Sequence, residues 1–199
     1  MAIDQPGYHV GKSYPDFELR DYPPFLVAET EVEGSRAEAG NQGFRRLAGY
    51  IFGGNKGARR IPMTAPVGEV AATRIAMTAP VGQTASVVPG CFLIQFTMPA
   101  EFALDTLPEP LDDRIRFRQV PARRVAAIRY SGTWSEGRYR THLERLRAAL
   151  AREGLEAVGE PVWARYDPPF KPWFLRRNEV LVEVRPDGGE ESAVIPPPG

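Results

Sequence analysis

Six residues of this chain recur at one fixed offset. Arg20, Pro23, Val27, Ala28, Gly34 and Glu38 reappear 98 positions later as Arg118, Pro121, Val125, Ala126, Gly132 and Glu136. Ser35 maps onto Thr133 at the same offset, so S-x-x-E and T-x-x-E both have the form of a capping box. In that motif a hydroxyl and a carboxylate satisfy the free N–H groups at a helix start. A strand signature followed by a helix cap, twice at one spacing, predicts two β-α-β-β units. The first helix should run to about Phe52 with Phe44, Leu47, Ala48 and Ile51 on one face, then stop at Gly53-Gly54-Asn55. The second should run from Trp134 to about Glu153, presenting Tyr139, Leu143, Leu146 and Leu150 with His142 and Ala149 beside them. Such stripes must be buried against a sheet. The expected fold is therefore α+β, with repeats at 17–98 and 114–185 forming a distorted antiparallel β-barrel flanked by two helices. A cleft is expected between the helices and the sheet.

A second, shorter duplication lies between the halves. R-I-P-M-T-A-P-V-G-E at 60–69 returns as R-I-A-M-T-A-P-V-G-Q at 74–83. Alternation places Ile61, Met63, Ala65 and Val67 on one strand face and Ile75, Met77, Ala79 and Val81 on its counterpart. A turn at 68–73 would pair the copies, bringing Met63 and Met77 to the same side of the sheet. Pro66 and Pro80 cannot donate a ladder hydrogen bond, so both copies belong at an edge, a bulge or a strand end. Further strands are expected at 17–33, interrupted by Pro23-Pro24, and at 91–98, 162–166 and 179–185. Residues 1–13 read as a loose leader, 14–185 as a single domain and 186–199 as a disordered tail.

Composition narrows the function. Twenty-five Lys and Arg balance 25 Asp and Glu, which argues against nucleic acid or an anionic membrane as partner. The single cysteine, Cys91, excludes an intramolecular disulfide and a cysteine-rich metal site. No apolar run has the length of a membrane span, and the N-terminus has no signal-peptide pattern, so a soluble cytoplasmic protein is expected. Nucleotide-binding glycine loops and hydrolase elbows are missing from the sequence.

The segments F-E-L-R-D-Y-P-P-F, Y-I-F-G-G-N, I-x-M-T-A-P-V, F-T-M-P, Y-x-P-P-F and R-R-N-E-V together resemble the SOUL haem-binding family over roughly residues 14–185. The resemblance implies a two-repeat antiparallel barrel with two helices and binding of haem or a related tetrapyrrole in a mostly apolar pocket. Some members have a histidine after the arginine of the first strand motif, proposed as an axial ligand. This chain has Asp21 there.

Several residues are candidates for such a site. His142 takes the place of Phe44 at the 98-residue offset, so either could face the cleft, and His142 could ligate iron or meet a propionate. A helix histidine of this kind is also commonly a hydrogen-bonded packing residue. His9, in the expected leader, is read as inert. Met63 and Met77 could pack on a flat aromatic ligand or simply fill the core. Lys171, Arg176 and Arg177 cluster before the last strand, where they could hold carboxylates or be solvated charges. Glu179 opens an alternating strand and could hold a cation or act as a base if it faced the cleft. The loop at 167–175, carrying Phe170, Trp173 and Phe174, could cover a pocket or anchor itself. The leading reading is a soluble, non-enzymatic tetrapyrrole-binding protein, a carrier, buffer or sensor for a small planar apolar ligand. The competing readings are a small-molecule hydrolase or effector-binding module of the gyrase-inhibitor-like type, with Glu179 and Tyr166 as pocket groups, and a protein-interaction module.

Overall fold

The computed structural model describes residues 7–74, 86–167 and 170–185. In chain order its elements are β1 (His9–Ser13), β2 (Glu18–Tyr22), β3 (Phe25–Glu33), α1 (Arg36–Ile51), β4 (Val67–Arg74), β5 (Ser86–Thr97), β6 (Arg116–Val120), β7 (Arg123–Tyr130), α2 (Glu136–Arg152), β8 (Ala157–Arg165) and β9 (Asn178–Val184). A single 3-10 turn, Trp173–Leu175, precedes β9. Among the described residues all nine strands join one antiparallel sheet in the order β1-β2-β7-β9-β8-β4-β5-β3-β6. The α+β class is as expected, but the barrel is not: β1 and β6 end the sheet without pairing to each other, so it stays open.

The sheet divides into β2-β7-β9-β8 and β4-β5-β3-β6, joined where β4 pairs with β8. That seam is short: Val67 opposes Arg165, Gly68 opposes Ala164 and Glu69 opposes Trp163. Each half has its own helix. Leu47, Ala48 and Ile51 of α1 pack on Ala28, Ile94 and Phe96. Tyr139, Leu143, Leu146 and Leu150 of α2 pack on Ala126, Ile128, Val180 and Val182. The helix-free face carries a third cluster that includes Tyr22, Val125, Tyr166 and Leu181.

Local chemistry accounts for the helix ends. Ser35 and Glu38 form the reciprocal capping box of α1. After Phe52, Gly53 adopts φ 115°, and the buried Asn55 side chain donates to the carbonyls of Tyr50 and Arg59, which turns the chain. The second cap differs from expectation. Ser135, not Thr133, caps α2, its hydroxyl accepting from the backbone of Arg138, so the helix starts at Glu136. The residues expected as a loose leader also differ, because His9–Ser13 pair with β2 and form its outer edge.

The largest departure is the shorter duplication. Gly68 to Thr73 do not turn the chain; they lie in β4, laddered to β5. Residues 61–66 are not a strand: Ile61 and Ala65 are buried in different clusters, and the Thr64 hydroxyl donates to the carbonyl of Thr97. Pro62 and Pro66 remove two ladder donors there, which leaves β4 to begin at Val67. Apart from Arg74, the second copy, including Met77, lies outside the described residues, as does the tail from 186. No helix among the described residues is long and apolar enough to cross a membrane.

Helix α1 lies close to the sheet through glycine. A Cβ on Gly43 would fall 2.6 Å from Ile94 Cβ, whereas one on Gly49 would meet nothing within 4 Å. Alanine gains about 1 kcal/mol over glycine in a helix interior, and overpacking costs about 1–3 kcal/mol. In urea unfolding, Gly49→Ala is therefore expected to stabilise by about 0.5–1 kcal/mol and Gly43→Ala to destabilise by about 1–2 kcal/mol. Equal effects would contradict this packing.

Candidate functional site

A cleft of about 190 Å³ opens on the helix-bearing face, above the β4–β8 seam. One wall is Gly40, Asn41 and Phe44 of α1, which helical spacing places on one side; the other is Trp134, from the connection into α2. The floor is Val67, Glu69, Ile94 and Arg165, which cross-strand pairing aligns on one face. Met63 to Ala65, Tyr166 and Asp167 complete the rim. Phe44 is 38% exposed although it sits among apolar neighbours, because the cleft leaves it uncovered. A larger hollow of about 390 Å³ lies between residues 23–26 and 97–104, but no charged side chain lines it.

The floor carries charge in an apolar setting. Glu69 is buried; Arg36 Nη1 donates to its Oε1 at 2.7 Å and Arg165 Nη2 to its Oε2 at 2.9 Å. Aromatic rings sandwich both guanidiniums. Arg165 Cζ lies 4.4 Å from the Trp163 ring centre and 5.2 Å from that of Trp134, and Arg36 Cζ 4.8 Å from Phe92. Burial nonetheless outweighs pairing here. It pushes the Glu69 carboxyl above the usual carboxylate range despite Arg165 and Arg36, and draws Arg165 below the usual guanidinium value despite Glu69. Nε of Arg36 and Nε of Arg165 are buried with no hydrogen-bond partner. Charges held against their own solvation preference in a cleft make it a candidate functional site.

Glu179 is the opposite case. It is 0% exposed and takes bonds from Arg20 Nη1 at 2.7 Å and Nη2 at 3.1 Å, the Tyr166 hydroxyl at 2.6 Å, and Arg177 Nε at 3.0 Å. Burial raises its pKa, but Arg20, Tyr166 and Arg177 together hold the carboxyl below its ordinary value. Its side chain points to the helix-free face, in register with Arg129 and Ala164, and does not line the cleft.

The expected site residues thus separate. Phe44 and Met63 line the cleft. Lys171 and Arg176 stand at its rim: Lys171 Nζ binds Asp167 Oδ1 at 2.6 Å, and Arg176 Cζ lies 4.6 Å from the Trp134 ring. Arg177 turns inward to Glu179. His142 lies outside the cleft, its ring stacked 4.1 Å from Tyr130 and its Nδ1 2.7 Å from the Arg138 carbonyl, which it meets as a donor. Asp21, at the position of the resembled histidine, binds Arg124. The aromatic loop is exposed, with Phe170 at 86%, and Trp173 is tied by its carbonyl to the Gly132 amide. Glu69, Arg165 and Arg36 were not singled out from the sequence. The signal was the period-two placing of Glu69 with Val67 and of Arg165 with Trp163, masked by reading 68–73 as a turn. Among the described residues no group of three His, Cys, Asp or Glu is placed to hold a metal ion.

A model of the SOUL heme-binding protein family matches residues 3–183. This chain belongs to the SOUL family. Heme-binding protein 1 of Sus scrofa is 35% identical over 89 residues, or 44% of this chain and 45% of that protein, so the match spans under half the relative's length. The SOUL chain is also similar in fold to three kinds of solved structure. An uncharacterized conserved protein from Listeria innocua matches with TM-score 0.62 at 10% identity, covering 85% of this chain and 92% of that one. The C-terminal domain of EcmrR matches with TM-score 0.60 at 12% identity, covering 89% and 98%. A hydrolase from Listeria innocua matches with TM-score 0.58 at 9% identity, covering 88% and 94%. At such identities the likeness is one of fold.

The two buried glutamates of this SOUL protein should respond oppositely to neutralisation. The depressed pKa of Glu179 means that its ionised form stabilises the fold above about pH 4.5, and that this contribution is lost as pH falls through the lower folded value. The raised pKa of Glu69 means that its protonated form is the better accommodated one, so its ionisation costs stability as pH rises through the higher folded value. At pH 7, Glu179→Gln should cost about 3–5 kcal/mol, as breaking a satisfied buried pair does. Glu69→Gln should cost well under half of that. The Glu179→Gln deficit should shrink below about pH 4. Urea melts across pH check both, and equal costs at pH 7 would refute the contrast.

Proposed function

We propose that this SOUL protein binds haem, or a tetrapyrrole of the same shape, in the cleft above the β4–β8 seam, and that it does so without catalysing a reaction on it. The observation that carries the reading is one cleft with apolar walls and cations at floor and rim. Phe44, Met63, Val67 and Trp134 offer surface to a planar apolar body, and Lys171, Arg176 and Arg165 offer charge to its carboxylates. The cavity of about 190 Å³ is below the roughly 300–1,000 Å³ typical of enclosed ligand sites. It therefore suits one edge of a macrocycle, with the rest lying outside the cavity. The residues fit the group in this way. Among those lining the cleft, Met63 supplies a sulfur that could meet iron, and no histidine is there. The role we propose for the protein is that of a carrier, buffer or sensor.

A hydrolytic reading needs an acid or base able to move a proton. Glu69 and Asp167 both line the cleft, and each has both carboxylate oxygens engaged by arginine or lysine side chains or by the Arg177 amide. The raised Glu69 carboxyl would suit proton transfer, but Arg36 and Arg165 hold both its oxygens, so we favour binding.

Covering the faces of a large flat body yields several kcal/mol at roughly 25 cal/mol per Å². An exposed arginine–carboxylate pair adds about 1 kcal/mol or less. Absorbance titration with haem should give saturable binding. Met63→Glu should weaken it by about tenfold or more, because a carboxylate would be buried against the macrocycle. His142→Ala, outside the cleft, should stay within about twofold. Circular dichroism verifies the fold of each variant. Loss of binding in His142→Ala, or none in the wild type, would overturn the assignment.

A further inference from the structure

We infer that the floor of the cleft is a carboxylate-recognition subsite, in which Arg165 reads an acid group carried inward on the apolar ligand. The inference deepens the haem reading and rests on it for its first probe. Glu69 accepts from Arg36 Nη1 and Arg165 Nη2, one arginine on each oxygen. Two guanidiniums around one carboxylate leave a positive excess at the floor, so the cleft does not select cations despite its buried acid. Arg165 Nη2 is committed to Glu69, while no described residue accepts from Nη1. Arg165 Nη1 lies beside the helix: a Cβ on Gly40 would sit 3.4 Å from it and 3.3 Å from Glu69 Oε2. Gly40 therefore keeps the approach to that nitrogen open. The guanidinium is held in place by Trp163 and Trp134, so its fork is oriented before any ligand arrives. A preoriented guanidinium with an unused N–H edge binds a carboxylate better than the half-buried Lys171, already paired with Asp167, and Arg176, already bonded to the Lys171 carbonyl.

Haem and haem dimethyl ester separate these alternatives, since they share the macrocycle and differ at the carboxylates. The wild type should bind haem at least about tenfold more tightly than the ester, as expected for a charge-assisted pair in a dry site. Arg165→Met should abolish that preference while retaining affinity for the ester. Gly40→Ala, which leaves every charge in place and favours the helix, should reduce the preference by crowding Nη1. It decides the matter if Arg165→Met does not fold. Lys171→Ala combined with Arg176→Ala should leave the preference largely intact. Equal affinity of the wild type for haem and ester overturns the inference, as does a preference that survives in Arg165→Met and Gly40→Ala but vanishes in the rim variant. If the wild type binds neither form, the haem reading fails by itself. Dodecanoate and methyl dodecanoate, followed by tryptophan fluorescence, then decide: a preference for the acid that is lost in Gly40→Ala upholds the carboxylate subsite, and no preference overturns it.

Discussion

Three residue pairs between β4 and β8 form the ladder that joins the two halves of this sheet, and the candidate site lies above it. Each helix covers its own half, α1 over β3 and β5, α2 over β7, β8 and β9. The strip above the seam is left with side chains from both halves and a helix on each flank. Cross-strand pairing puts Val67 beside Arg165 and Glu69 beside Trp163 on that strip. A carboxylate and two guanidiniums thus reach an apolar surface that helix packing would otherwise have sealed.

The molecule uses buried ion pairs in two ways. Around Glu179, three partners supply enough hydrogen bonds to outweigh desolvation, and the Arg20 pKa is raised as that of Glu179 is lowered. The two strands β2 and β9 are not neighbours, so this contact ties the N-terminal part of the chain across β7 to the last strand. Around Glu69, burial prevails over pairing for both the acid and Arg165. Two Nε atoms remain unpartnered there. The first arrangement is a fastener. The second leaves buried polar groups unsatisfied, which costs stability.

The chain is a SOUL family member, and its likeness to EcmrR and to Listeria proteins, at 12% identity or less, is one of fold. A shared scaffold does not fix chemistry. At the seam of this chain one glutamate is shared by two arginines stacked on tryptophan and phenylalanine.

Much was legible in the linear pattern. The apolar stripes of both helices, the Ser35–Glu38 cap, the break at Pro23-Pro24 and the halt at Pro99 depend on contacts within a few residues, which sequence records directly. The pattern misled where a choice between partners was needed. Thr133 and Ser135 both offer a hydroxyl, and only the backbone path into α2 selects Ser135. Residues 68–73 satisfy a turn as readily as a strand, and the ladder to β5 decides for the strand. Glu179 and Glu69 look alike in sequence, each an acid beside valine in a strand. Which face each one takes, and how many arginines meet it there, follows from strand order and register. Sequence therefore determined both helices and their apolar faces, because those rest on local periodicity. Only the tertiary structure decided that the sheet stays open, that His142 stacks on Tyr130 outside the cleft, and that Arg165 stands in it, because those depend on which distant strands become neighbours.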